Sequence, residues 1–197
     1  SEGRREQTVV TDQDNAILFH SAPPGVERVR RELLDFARAA NAALAEIGFP
    51  LCPGGIMAGN PEHCLEATEW RERVAGRIRA PAPPGRLGGH IFFDFRPLAG
   101  NAGLAENLRA WLGEVAAGSR LFLRMLVAKA LQAEPPLGRI RKFRTDDGEH
   151  AGTLDLKSNG TRIYVDAARA LALGLGIAET NTSQRLRLAG RRLGVDE

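Results

Sequence analysis

The sequence predicts an α+β protein, a small mixed sheet followed by a C-terminal helical bundle. Three observations carry this. Residues 8–20 and 90–96 read as strands. Between them, apolar residues recur at three- and four-residue steps from Val26 to Ile47, the spacing of one helix face. Past Leu98, the periodic stretches are helical. The expected division is residues 1–98 for a sheet-bearing domain and 99–197 for a helical one.

Composition bounds the function. A chain of 197 residues suits one large or two small domains and can bury a proper core. Its 43% hydrophobic and 26% charged content is ordinary for a globular protein. No run of eighteen apolar residues is present, so no membrane span is expected. Cys52 and Cys64 are too few for a structural zinc site, and a reduced cytoplasmic pair is expected. The net charge of +3 is a weak signal for nucleic acid. The local cluster Arg139, Arg141, Lys142 and Arg144 reads as a solvated surface, since only Phe143 interleaves it.

The elements follow in order. Thr8-Val9-Val10 through Ile17-Leu18-Phe19 forms the first strand, and Ser21-Ala22-Pro23-Pro24-Gly25 stops it. A helix follows over about 26–47, with Val26, Val29, Leu33, Phe36, Ala37, Ala40, Leu44 and Ile47 as its apolar face. Arg28, Arg30, Arg31 and Glu32 fill its other sides. Gly48 ends it. Residues 49–61 are rich in Pro and Gly and must be largely irregular. A loop of that length is uncommon unless it does something or is floppy, and two readings stay open: a segment beside the site, or a connector packed by Leu51, Ile56 and Met57. A helix around 62–80 carries Leu65, Trp70, Val74 and Ile78 on one side, and the Pro-rich run 81–85 closes it as a stiff spacer. His90-Ile91-Phe92-Phe93-Asp94-Phe95-Arg96 reads as the next strand. In the second half, Leu104, Leu108, Trp111, Leu112 and Val115 mark one helix. Residues 121–131 mark another, apolar nearly all round and expected to be buried. Residues 145–150 read as an exposed turn, 163–175 as a helix, and Asn181-Thr182-Ser183 as the source of the N-cap of a last helix through Leu193.

The chemistry centres on Thr11-Asp12-Gln13-Asp14-Asn15. In extended backbone, alternate side chains share a face, so Asp12 and Asp14 point the same way, about 6.5–7 Å apart along the chain. Two like charges at that spacing repel unless a cation sits between them. A hard divalent ion suits such oxygens, and two ions about 3.5–4 Å apart clamp the attacking and leaving oxygens of a phosphoryl transfer. A solvated Asp-x-Asp is the commoner occurrence of the pair taken alone. The run just before it, Ser1-Glu2-Gly3-Arg4-Arg5-Glu6-Gln7, tilts the reading. A hydroxyl, backbone N–H groups and guanidinium forks are the parts that cradle a triphosphate.

Ser1-x-Gly3-Arg4 followed by Thr11-Asp12-x-Asp14-Asn15 resembles the signature of the DNA-polymerase-β-like nucleotidyltransferase superfamily, in which a Gly-Ser turn precedes an Asp-x-Asp pair. The fuller string resembles a narrower group, similar to the PII-protein uridylyltransferase, found with CBS and cyclic-nucleotide-binding domains in bacterial signalling proteins. The family's Gly before the Ser is missing because the chain begins at Ser1, so the catalytic domain is expected to be N-terminally incomplete. The resemblance implies a nucleotidyltransferase fold, Mg²⁺ or Mn²⁺ as cofactor and a nucleoside triphosphate as substrate. It implies a protein hydroxyl as acceptor and regulatory domains upstream. Nucleic acid and membrane are not expected partners, and a cytoplasmic setting is.

The same resemblance assigns roles. Asp12 and Asp14 would hold the ions. A third carboxylate from a later strand completes the trio, and Asp94 is the choice, because a carboxylate inside Ile-Phe-Phe-Asp-Phe must be paired or metal-bound. The alternative is an internal Asp94–Arg96 ion pair. Ser1, Gly3 and Arg4 would bind phosphates, with Arg96 on the same strand face as Asp94. The loop 49–61 resembles a Cys-x-Gly-Gly stretch of the family. Asp155-x-Lys157 resembles a family patch ahead of an Ala-Arg-x-Leu-Ala-Leu helix, and Lys157 is a candidate for a nucleotide phosphate, the alternative being a plain Asp155–Lys157 surface pair. The expected activity is transfer of a nucleoside monophosphate to an acceptor hydroxyl. The alternative is a catalytically silent nucleotide-sensing module.

Overall fold

The computed structural model describes residues 2–8, 11–81, 90–132, 135, 137, 143, 145 and 151–195. Val9, Val10, the Pro-rich spacer at 82–85, the basic residues Arg139, Arg141, Lys142 and Arg144, and positions 146–150 lie outside the described residues. Six α-helices and a two-stranded parallel sheet make up the described chain. The backbone divides into two compact units: residues 1–75 with 96–109, and residues 76–95 with 110–197.

The first unit is a strand–helix–strand crossover. Strand β1 (Ile17–Phe19) pairs in parallel with β2 (Cys64–Glu66), Leu18 standing opposite Leu65. Parallel neighbours need a long connection, and helix α1 (Val26–Glu46) supplies it. The core beneath is Phe19, Leu34 and Cys64, with Ile17, Val26, Val29 and Leu33 packed against it. At its C-terminus Phe49 N–H bonds to the Leu44 carbonyl and Gly48 N–H to that of Ala45, the paired closure of a Schellman end.

Helix α1 is rotated from the face that hydrophobic spacing selects. Its buried residues are Arg30, Leu34, Ala37 and Asn41, whereas Phe36 and Ile47 are exposed. Two polar side chains turn it. Arg30 donates to the Cys64 carbonyl (2.8 Å) and to Glu69 (2.7 Å), and its guanidinium lies over the Phe19 ring, 5.6 Å from the centroid. Asn41 enters the amide network described below. A hydrogen-bonded Arg and Asn on the inner face cost little, because both side chains find partners there.

The expected strand over residues 8–20 is assigned only at Ile17–Phe19, and residues 11–16 have no regular secondary structure. Asp, Asn and Gln fit poorly on a ladder, and the segment opposite them is the Pro/Gly loop rather than a strand. The helix expected from about residue 62 begins later: α2 runs Ala67–Arg79. The start is a reciprocal cap. Glu66 accepts from Thr68 N–H (2.6 Å), while Glu69 accepts from Glu66 N–H (2.8 Å). Trp70 donates its indole N–H to the Ile17 carbonyl (3.0 Å), tying α2 to β1.

The second unit is helical. It holds the end of α3 (Ala102–Ala117), α4 (Arg120–Leu131), α5 (Arg162–Gly174) and α6 (Thr182–Leu193). Ala168 and Ala172 on α5 are fully buried, so neighbours approach its backbone closely. Ala172, Ile177 and Ala189 form one core cluster, and Phe93 packs on Phe122 with ring centroids 5.4 Å apart. Asn181 caps α6 by accepting from Gln184 N–H (3.1 Å), as its place in the sequence predicts. Two expectations are corrected. Helix α4 is not buried all round: Phe122, Leu126 and Ala130 are inside, while Leu121, Val127 and Leu131 are exposed. Residues 90–93 form a 3₁₀ turn rather than a strand.

Candidate active site

Two polar side chains hold the acidic pair in place. Gln13, between the two aspartates, is only 5% exposed. Its amide donates to the carbonyls of Asn41 (2.9 Å) and Phe49 (2.8 Å) and accepts from the Asn41 amide (2.7 Å). Asn15 accepts from the Asn41 amide (3.1 Å) and from Ala58 N–H (2.8 Å). The backbone completes the clasp, with Gln13 N–H on the Pro50 carbonyl and Asn15 N–H on that of Ile56. With 13 and 15 turned inward, 12 and 14 turn outward by parity, and both aspartates are exposed. The expected common face therefore survives without a strand.

The facing loop is shaped by two glycines. A turn from Cys52 to Gly55 is closed by Gly55 N–H on the Cys52 carbonyl (2.9 Å), and Gly55 has φ +67°, a left-handed conformation that costs glycine nothing. Gly59 is tightly flanked: a Cβ there would stand 3.1 Å from Arg38 Cγ and from Asn41 Oδ1. Its N–H donates to that same Asn41 oxygen (3.1 Å). The loop thus docks on α1 through Asn41.

This docking brings Cys52 to the acidic pair. One ligand atom from each of Asp12, Asp14 and Cys52 lies within 4.8 Å of the others. Cys52 is buried and unbridged. Burial pushes its thiol pKa up, and Asp14, which shares a side-chain hydrogen bond with it, pushes it further. Hydrogen bonds from the backbone at Ile56 and Gly54 act the other way. The donor set fits a divalent cation. Ligand atoms around one such ion stand no more than about 5 Å apart, given metal–oxygen distances of about 2.0–2.6 Å.

The phosphate candidates sit as follows. Ser1 lies outside the described residues. Gly3 and Arg4 belong to a 3₁₀ turn, Glu2–Arg4, and Arg4 donates to Glu6 (2.9 Å). Arg96 pairs with the Glu2 carboxylate and also donates to the Glu2 carbonyl (3.3 Å). Lys157 lies in the second unit, exposed at the start of a π turn, Lys157–Thr161.

Asp94 is paired, and its partner is not Arg96. Its side chain is fully buried in the second unit, bonded to Arg169 of α5 (2.5 Å) and Arg185 of α6 (2.8 Å). Arg169 also bonds Asp166 (2.5 Å), and Arg185 donates to the carbonyls of Glu179 (2.6 Å) and Phe93 (3.3 Å). Burial alone would raise the Asp94 pKa, but the two guanidiniums hold it below the ordinary carboxylate value. Burial alone would lower the Arg169 pKa, but Asp94 and Asp166 raise it. Two carboxylates and two guanidiniums neutralise one another. Both Asp94 oxygens stand at ion-pair distance from a guanidinium.

Sequence reasoning placed loop 49–61 near the site in one of its two readings but left Cys52 out of the ligand set. The available signal was the loop's only sulfur besides Met57, in a stretch too long to be a plain connector. It gave no signal for Gln13 or Asn41, whose role appears only when α1 and the loop meet.

An exposed acidic pair with a neighbouring thiol, carried by a strand–helix–strand unit and accompanied by a helical unit, defines a mixed α/β protein with a candidate divalent-metal centre. The family comparisons refine this class. Residues 1–84 match the family described as Putative nucleotidyltransferase DUF294, and residues 120–197 match the Putative nucleotidyltransferase substrate binding domain. The two matches together support the nucleotidyltransferase superfamily and nucleotidyl transfer as the general activity. No curated protein and no solved structure matches the chain. Among the described residues, no helix is long and apolar enough to cross a membrane.

Proposed function

We propose that this chain catalyses metal-dependent transfer of a nucleoside monophosphate from a nucleoside triphosphate to a hydroxyl, with release of pyrophosphate. The observation that carries the reading is the outward-facing pair Asp12 and Asp14, held by buried amides inside the segment that matches a nucleotidyltransferase family. These two carboxylates are the proposed holders of Mg²⁺ or Mn²⁺, which would supply charge neutralisation at the phosphoryl oxygens. The rigid clasp of Gln13, Asn15 and Asn41 keeps both carboxylates on one face, so little reorganisation is needed when the triphosphate arrives. Gly3, Arg4 and Ser1 are the proposed phosphate contacts, with Arg96 supporting their turn through Glu2. Arg4 must exchange Glu6 for a phosphate to take part, an exchange that a more highly charged anion favours. Asp94 is assigned instead to the internal ion cluster of the helical unit.

The acceptor in this reading is a hydroxyl on a regulatory protein, in a cytoplasmic signalling chain with sensory domains upstream. It rests on the likeness of Ser1-Glu2-Gly3-Arg4 and Thr11-Asp12-x-Asp14-Asn15 to the PII-uridylyltransferase-like group. Domain limits near 98 and a phosphate role for Lys157 belong to the same proposal. A second reading, nucleotide sensing without transfer, draws on the pairing of Arg4 with Glu6 and of Arg96 with Glu2. The deciding experiment incubates the protein with labelled nucleoside triphosphates, Mg²⁺ and cell extract. Label on a protein, with pyrophosphate formed and both lost in Asp12→Asn, supports transfer. Metal-dependent nucleotide binding without pyrophosphate supports the sensor.

A further inference from the structure

We infer that Cys52 is a sulfur ligand of the cation site, so that Asp12, Asp14 and Cys52 together form a mixed oxygen–sulfur centre suited to a borderline divalent ion such as Co²⁺ or Zn²⁺. The inference rests on the proposed role of Asp12 and Asp14 as cation holders and adds the third donor.

The geometry carries it. Cys52 reaches the two carboxylates from a segment forty residues away, with ligand atoms from all three residues within 4.8 Å of one another. Its position is fixed from both sides. The 52–55 turn is closed by a backbone hydrogen bond, and the loop on either side of it is bonded to the acidic segment through Gln13–Pro50 and Asn15–Ile56. The chain's other cysteine supplies the contrast. Cys64 is 0% exposed and packs with Phe19 and Leu34, where a thiol acts as a small apolar side chain. Cys52 instead stands within 4.8 Å of an oxygen of each aspartate and shares a hydrogen bond with Asp14. Thiolate sulfur is a soft ligand and carboxylate oxygen a hard one, so a site holding both shifts its preference away from Mg²⁺ toward ions that accept either. On binding, the sulfur–metal bond forms as the thiol proton leaves to solvent.

Titration of the whole chain with Co²⁺, followed by sulfur-to-cobalt charge-transfer absorption, tests this without any activity measurement. The wild type is expected to develop the band at one ion per chain. Cys52→Ser should abolish the band and weaken Co²⁺ binding at least about tenfold, while Mg²⁺ binding by calorimetry changes far less. Asp14→Asn, a change at an exposed position that leaves the Cys52 sulfur in place, should also weaken Co²⁺ binding at least about tenfold. Co²⁺ bound with no charge-transfer band, or a band that persists in Cys52→Ser, overturns the sulfur ligand. If Asp12→Asn still removes Mn²⁺ binding in that case, the carboxylate reading stands alone. If neither Co²⁺ nor Mn²⁺ binds the wild type, both readings fall together.

Discussion

Asp12 with Asp14 and Asp94 are the same side chain put to opposite uses. The first two are exposed, positioned by uncharged amides from Gln13 and Asn41, with a thiol for company. The third is buried between two guanidiniums that also bond neighbouring carbonyls and Asp166. Two guanidiniums compensate the Asp94 charge within the fold, while the exposed pair is set in place through its uncharged neighbours. An acidic residue's partners, rather than its apolar sequence neighbours, separate the two uses.

The largest expected effect breaks the comparison at its functional end. Asp12→Asn should lower nucleotidyl transfer by about a thousandfold, the scale of losing a principal electrostatic contact in a phosphoryl-transfer site. Stability should stay within about 0.5 kcal/mol, as for an exposed substitution. Pyrophosphate release and urea unfolding of the same sample check both halves. A large stability loss would mean that Asp12 is structural after all.

Arg169→Leu attacks the other end. It leaves Asp94 and Asp166 buried with less compensation, and breaking a buried pair costs about 3–5 kcal/mol. Urea unfolding is the measurement, and metal binding at Asp12 should be untouched. The pH dependence has a definite sign. The Asp94 pKa is lowered on folding, so its contribution is present above the ordinary carboxylate value of about 3.9 and is lost as pH falls below it. Glu66 behaves likewise. Burial raises its pKa, but hydrogen bonds led by those from Thr68 outweigh this and bring it to about 2, so its share is lost between about pH 4 and 2. Thermal unfolding should therefore show a fall in stability below about pH 4. Arg169→Leu should flatten the part that Asp94 contributes.

The legible parts of the chain were those written in local spacing. The existence of helix α1, the cap before α6 and the outward turn of Asp12 and Asp14 follow from local spacing and capping chemistry. The misread parts depend on partners distant in sequence. Arg30 looks like a solvated helix residue until Glu69 and the Cys64 carbonyl arrive from the far end of the crossover. Asp94 looks like a strand carboxylate among aromatics, since its partners stand 75 and 91 positions away on two other helices. The 90–93 stretch shows why alternation misleads: aromatic residues favour strands, but this one supplies Phe93 to a helical core instead. Cys52 falls between the two cases, because loop length signalled a task and only the folded clasp named the thiol.

Asn41→Leu sharpens the link between positioning and binding. The substitution keeps helix propensity but strips partners from Gln13, Asn15 and Gly59 together. Buried amides left unpaired cost about 1–3 kcal/mol. The aspartates themselves are untouched, so a drop in Mn²⁺ affinity in a variant that still unfolds cooperatively would show that the clasp sets their geometry.

The smallest effect comes from Gly59→Ala. A methyl there meets Arg38 Cγ and Asn41 Oδ1 at 3.1 Å, tighter than ordinary contact. Arg38 is exposed and can swing aside, so the chain does not unfold; the expected loss is about 1 kcal/mol. Asn41 cannot yield as freely, because its amide is shared between Gln13 and Asn15. The strain should therefore pass to the loop and move Cys52 relative to the carboxylates. Co²⁺ affinity should fall by more than global stability does, whereas a variant with normal Co²⁺ affinity and the same small stability loss would mean that the loop's docking and the cation site are independent.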